Sequence, residues 1–351
     1  MIRAGMRAGL CSVLLMLLAA CASTPPVFEY ELVNTGYRWP APPETARFEL
    51  VGQLTGEGNF PREAQGFGGR VMGWLLGLNS DKRIPQVLQR PQAGFVDEAT
   101  GRVYVTDVSR GAVFVFDEGG ARLRIWQSAG QVARFVTPAG ITPGAAGEIL
   151  VADAELGIVV RLDAEGEPLG GIGLGDLVRP VGIARDPARG RIYVADSQAH
   201  DVKVFADDGA LLDVIGKRGE GAGELNGPTY VAWANDRLLV TDTLNSRVQV
   251  FDADGRYVRE FGRRGLFVGD MPRPKGIAAD RNGNLYVVES YYDHLLVFND
   301  DGELLLPIGG SGSGIGQFYL PAGVWTDHRD RIYVADSFNG RIMIFQLLGE
   351  T

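Results

Sequence analysis

Six acidic residues recur at near-constant spacing: Asp107, Asp153, Asp196, Asp242, Glu289 and Asp336, separated by 46, 43, 46, 47 and 47 residues. Carboxylates in that number suggest either a convergent cluster suited to calcium or acid–base chemistry, or a structural device used once per unit. The second reading is the stronger. Each acid closes a β-branched or aromatic run, as in Ile192-Tyr193-Val194-Ala195-Asp196. A carboxylate at a strand end accepts backbone N–H groups of the following turn. Asp242 with Asn245 and Arg247, and Asp336 with Asn339 and Arg341, therefore read as one turn lock used twice. Histidine is limited to His200, His294 and His328. His200 and His294 occupy equivalent turns of two units, and three ligands meeting from those places and His328 are not expected. The chain contains no Gly-x-Ser-x-Gly, phosphate loop or His-Glu-x-x-His string.

Departures from the repeat carry more information about function than the repeat itself. The fifth unit departs most, at Glu289-Ser290-Tyr291-Tyr292-Asp293-His294, where two adjacent tyrosines on a turn cannot both enter a core. Tyrosine offers large contact area at low entropic cost. The fourth unit departs at Tyr230 and Trp233, where Gly-Ile is expected, and Lys275 and Trp325 fall in or near first strands. A binding surface for a ligand or partner is expected from Tyr230, Lys275, Glu289, Tyr291, Tyr292 and Asp293. Ordinary loop variation is the alternative.

The elements that position these residues follow from the same repetition. A proline precedes each acidic anchor: Pro91, Pro138, Pro180, Pro228, Pro274 and Pro321, five of them closely followed by glycine. A third apolar run, such as Val202-Lys203-Val204-Phe205, leads to a turn such as Asp208-Gly209 and a fourth run. Four short strands joined by hairpin turns form a propeller blade. The sixth unit stops after its third run, Ile342-Met343-Ile344-Phe345, whereas Arg47-Phe48-Glu49-Leu50-Val51-Gly52 is an orphan strand. The expected fold is all-β: a six-bladed propeller of four-stranded blades, its ring closed by an N-terminal strand over 47–54 that completes blade six and removes an exposed edge.

The string Pro-x-Gly-Ile…Ile-Tyr-Val-Ala-Asp-Ser…Arg-Ile/Val-x-Val-Phe, clearest at 180–205, 274–298 and 321–345, resembles the NHL repeat. The resemblance spans 91–351 and the borrowed strand, and is weakest in repeat two, where Ala154-Glu155-Leu156-Gly157 replaces the polar turn. It implies a propeller that binds a partner, with enzymes among a few relatives. The related amidating lyase holds zinc on histidines just after the blade-opening prolines. Here those positions carry Gln92, Ala139, Val181, Thr229, Lys275 and Ala322, so no metal or other cofactor is expected. A calcium lactonase needs a convergent acidic set in the channel, to which Glu289 alone is assignable.

The remaining segments concern location. Arg3 and Arg7 precede the apolar run Leu10–Leu18, which is too short to span a bilayer, and the pattern reads as a signal peptide over 1–20. Leu18-Ala19-Ala20-Cys21 resembles the lipobox of bacterial lipoproteins, which implies acylation of Cys21 and, with Ala22 following, an outer-membrane address. The alternative is a secreted protein cleaved near Ala20. Residues 21–46, with five prolines, read as a tether. Residues 55–90 form an insertion whose Val71–Leu78 run, around Trp74, reads as a short helix packed on one face or as a docking element. The net charge is −9 with no basic stripe, which argues against nucleic acid, and no polybasic cluster marks anionic lipid. The expected function is a non-catalytic binding or scaffold lipoprotein of the cell envelope with a protein or small-ligand partner. A channel-based metal-dependent hydrolase or lactonase is the alternative.

Overall fold

The computed structural model describes residues 36–60, 85–130 and 133–349. The expected signal peptide, the lipidation residue Cys21, the tether up to residue 35 and the run around Trp74 lie outside the described residues. Six antiparallel sheets follow one another in chain order. The innermost strands are Pro91–Asp97, Pro138–Pro143, Pro180–Asp186, Pro228–Ala234, Pro274–Ala279 and Val324–Thr326. Each packs against the next, and the sixth returns to the first, so the ring is closed.

Burial follows position within the blade. Second and third strands are sandwiched between neighbouring blades, and Ala112–Asp117 is buried at every residue. Fourth strands are half exposed, as in Leu211–Ile215, where only Ile215 is buried. Tyr104, Tyr193, Tyr286 and Tyr333 stand at one repeated second-strand position and are fully buried. Two of them reach a polar partner at the turn joining the first and second strands: Tyr286 Oη donates to Asp280 at 2.9 Å and Tyr333 Oη to Asp327 at 3.0 Å. Buried tyrosine stays amphipathic in this way, with its ring in the core and its hydroxyl satisfied.

The N-terminal strand closes blade six as the sequence implies. Phe48–Leu54 pairs antiparallel with Arg341–Leu347, with Phe48 opposite Leu347 and Leu54 opposite Ile342. Phe48, Leu50 and Leu54 turn inward and are buried. Part of the expected tether is ordered too: Arg38–Trp39 adds a fifth strand outside Phe48–Leu54, and Trp39 packs edge-on against Phe345.

One end of the propeller, here the mouth end, gathers the acidic ends of the second strands, the turns that follow them, and the loops that lead into the first strands. The far end carries the remaining hairpin turns. The repeated acids sit at the mouth end and are buried. They tie both kinds of mouth-end segment together. Asp107 accepts the N–H groups of Gln89 and Arg90 ahead of its blade and of Arg110 in its turn. Asp153 does the same for Val136, Thr137, Glu155 and Leu156.

Candidate functional site

Two places at the mouth end depart from the repeat, and the expected site residues divide between them. The first is the central channel. Tyr230 lies opposite Thr241 in its sheet, the register that Gly182 holds opposite Ala195 in blade three. Val231, not Trp233, therefore takes the isoleucine position. Trp233 instead stacks on Tyr193 of the preceding blade, with centroids 5.2 Å apart. A glycine position filled by tyrosine sends a large side chain toward the axis. Tyr230 Oη donates to the carbonyl of Gln92 at 2.9 Å. Blades one and four are three steps apart either way around a six-membered ring, so this hydrogen bond spans the axis. Ala93, Ile141, Tyr230 and Ile277, from four blades, share one buried cluster. Burial pushes the Tyr230 hydroxyl far above its ordinary pKa, so it remains a neutral donor.

Lys275 sits one residue past its blade-opening proline and is half-buried. Among the described residues no carboxylate pairs with its ammonium, and burial, with Arg273 nearby, lowers its pKa. The folded state thus releases this proton more readily than the unfolded chain. Stability attributable to Lys275 is lower at neutral pH and recovers as pH rises toward the ordinary lysine range near ~10.4. Lys275→Met is expected to stabilise the fold by roughly 1 kcal/mol and to flatten that alkaline rise. Urea melts of both proteins at neutral pH and near pH 10 measure it.

The second place is a cavity of about 280 Å³ between the 262–273 loop and blade five, lined by Leu266, Val268, Gly269, Asp270, Glu289, Tyr292, His294, Leu296 and Ser311. Its loop is built by Asp270, which accepts the Phe267 N–H and the Arg263 Nε–H, each at 2.8 Å. Gly265 permits this, because a Cβ there would lie 2.0 Å from the Asp270 carboxylate. The tied loop points Leu266, Phe267 and Val268 outward, at 84%, 77% and 60% exposure, and Tyr291 beside it is 59% exposed.

Of the residues expected at a site, Glu289 and Tyr292 line this cavity, and Tyr291 packs edge-on against Tyr292 without lining it. Glu289 is also the lock of blade five, accepting the N–H groups of Arg273, Tyr291 and Tyr292. Burial raises its pKa against those three hydrogen bonds. Asp293 faces elsewhere: it accepts Ser311 Oγ–H and Leu320 N–H, joining blade five to the loop of blade six. Tyr230 and Lys275 belong to the channel. Sequence reasoning missed Leu266, Val268, Leu296 and His294. The signal for His294 was present, because it pairs with Glu289 in the register that Arg247 and Arg341 hold with Asp242 and Asp336.

Among the described residues no group of three or more His, Cys, Asp or Glu could hold a metal ion. The cavity is mainly apolar, with two buried carboxylates, Glu289 and the loop-tied Asp270, and one half-buried imidazole whose pKa burial lowers. Such a lining suits a ligand group with an apolar stem and a polar or charged end.

Comparison with known proteins supports the architecture. A family model described as a 6-bladed beta-propeller, DUF5128, matches residues 224–269 and 273–351, and the NHL repeat model matches 177–205. No curated protein sequence matches the chain. Among solved structures it is similar to virginiamycin B lyase from Staphylococcus aureus, at 16% identity and TM-score 0.55 over 86% of this chain and 100% of that one. It is also similar to a luciferin-regenerating enzyme, at 14% identity and TM-score 0.56 over 75% and 92%. An auxiliary nutrient binding protein from Bacteroides ovatus matches at 14% identity and TM-score 0.57 over 74% and 69%. At these identities the likeness concerns the fold alone. Six sheets in a closed ring, the repeated Pro-Gly and Tyr-Val-Ala-Asp strings and both family models agree: the chain is a six-bladed β-propeller that carries an NHL repeat at 177–205.

Proposed function

We propose that the protein is a non-catalytic binding or scaffold module of the bacterial cell envelope, anchored through an acylated Cys21 at the outer membrane. It engages a protein partner or small ligand through the mouth-end loops of blades four and five. The observation that carries this reading is the outward-pointing group Leu266, Phe267 and Val268 on the cavity's loop, with the exposed Tyr291 packed on the lining residue Tyr292. By contrast, the far-end turns expose no large apolar side chain among the described residues and present acids such as Glu118, Asp208, Asp254 and Asp301. Apolar side chains gathered on one end mark a docking surface. The competing reading, a hydrolase or lactonase working inside the channel, is disfavoured by the Tyr230–Gln92 hydrogen bond across the axis.

A photo-crosslinking amino acid placed at Tyr291 in intact cells tests the proposal, with the same group at the far-end Asp254 as control. A discrete adduct is expected from position 291 and none from 254. Turnover of a small lactone by the purified protein, with no adduct at either position, would overturn it.

A further inference from the structure

The loops that lead into blades four, five and six share one construction. In each, two residues eight apart are joined by a backbone hydrogen bond: Leu225 N–H to Lys217 O, Met271 N–H to Arg263 O, and Phe318 N–H to Gly310 O. In each, a side chain at the residue before that donor accepts a backbone N–H three positions earlier: Glu224 from Gly221, Asp270 from Phe267, Gln317 from Gly314. The three loops can therefore be compared residue by residue.

In blades four and six an arginine fills the space beneath the loop. Arg247 donates from Nε to Asp242 at 2.9 Å and from Nη2 to the carbonyls of Gly221 and Glu224, both at 2.9 Å. Arg341 repeats this with Asp336 at 2.7 Å and the carbonyls of Gly314 and Gln317 at 2.8 and 3.0 Å. In both blades the guanidinium meets one buried carboxylate and two loop carbonyls, a planar donor fork matched to three acceptors, and Arg247 also reaches Glu260 at 2.8 Å. A nearby asparagine adds a fourth tie to the loop: Asn245 to Gly219 O and Asn339 to Gly312 O, both at 2.9 Å.

Blade five keeps the buried acid and a loop of the same construction, and lacks the guanidinium. The carboxylate is Glu289, and the corresponding carbonyls belong to Phe267 and Asp270. Tyr292 replaces the asparagine and still reaches the loop, with Oη 3.4 Å from Gly265 O. The arginine position is His294. An imidazole reaches less far than an arginine side chain, and the cavity of about 280 Å³ lies there, with Glu289, Asp270 and His294 in its wall. Among the described residues no cation pairs with Glu289, and its carboxyl is held above its ordinary range by burial.

We propose that this cavity is a receptor for a guanidinium group on an aliphatic stem, such as an arginine side chain supplied from outside the chain. Leu266, Val268 and Leu296 flank the stem, and Glu289 with the Phe267 and Asp270 carbonyls receives the fork. The proposal rests on the reading of blades four and five as the binding edge, and it names the group that enters.

Titration calorimetry on the full-length protein tests it with three probes: the blocked tripeptide acetyl-Gly-Arg-Gly-amide, its citrulline counterpart, and agmatine. The arginine peptide is expected to bind at least tenfold more tightly than the citrulline peptide. Agmatine binding as tightly as the peptide points to a free small cation as the source, and peptide preference points to a polypeptide. His294→Arg supplies the missing side chain internally, so it is expected to raise Tm and abolish binding. Glu289→Gln keeps one lock oxygen, removes the charge and is expected to weaken binding at least tenfold. Equal binding of the arginine and citrulline peptides, binding of neither, or undiminished binding in both variants would overturn the proposal. A Tyr291 adduct obtained alongside any of these would leave the docking function standing without the guanidinium site.

Discussion

Leu50→Ala is expected to cost about 3 kcal/mol of folding free energy, and Leu50→Asp to abolish cooperative folding. Leu50 is fully buried in the closing strand, opposite Phe345, within a cluster that includes Phe48, Ile308, Phe318 and Met343. Truncation leaves a cavity where blade six meets blade five. A carboxylate at the same place has no described cation to meet it, and its desolvation exceeds what the strand's hydrogen bonds return. Small domains are stable by only about 5–15 kcal/mol, so a closing strand that fails to dock opens the whole ring. Arg341–Leu347 then becomes an unpaired edge, which invites pairing between molecules. Glu49→Ala on the same strand is the control. Glu49 pairs with the exposed Arg38 at 3.2 Å, and its removal is expected to stay within about 0.5 kcal/mol. Urea melts and size-exclusion chromatography measure both effects. If Leu50→Asp remains monomeric with an unchanged midpoint, the N-terminal strand does not close the ring.

Such a strand was legible because propeller architecture sets a count. Five units with four runs and a sixth with three leave one vacancy, and Phe48–Leu54 has the alternation to fill it. The locks were legible for a similar reason: an acid at every strand end is a local pattern with a local partner. What escaped depended on the ring. Tyr230 looks like a broken glycine position in the sequence, and its partner Gln92 lies 138 residues away. Only the opposition of blades one and four brings them together. The cavity fell between these cases. Arg247, His294 and Arg341 stand five residues after their acids. The exchange was therefore visible, but its meaning required knowing that the arginines reach the loop of the preceding connection.

Arg341→Met is the second large effect, with an expected cost of about 3–5 kcal/mol at neutral pH. The side chain's removal leaves Asp336 buried without its cation and bares the carbonyls of Gly314 and Gln317. Burial already holds the Asp336 carboxyl above its ordinary pKa despite Tyr319 N–H, Asn339 and Arg341. Loss of the guanidinium raises it further. A carboxyl whose folded pKa exceeds its unfolded value contributes stability below the unfolded pKa, near ~3.9, and loses it as pH rises through the folded value. The deficit of Arg341→Met is therefore largest at neutral pH and narrows on acidification, as Asp336 takes up a proton. Paired urea melts at pH 7 and pH 4.5 check the direction. A deficit that grows on acidification would mean that Asp336 is not the group left uncompensated. Asp336→Asn combined with Arg341→Met removes the stranded charge, and is expected to recover much of the loss and remove the pH dependence. Blade five already carries the single-variant arrangement, with a buried acid, a comparable loop and no arginine. It keeps Glu289 in place with three backbone N–H groups instead of a cation. The stability that Arg341 lends to blade six is what blade five leaves available to a guanidinium from outside.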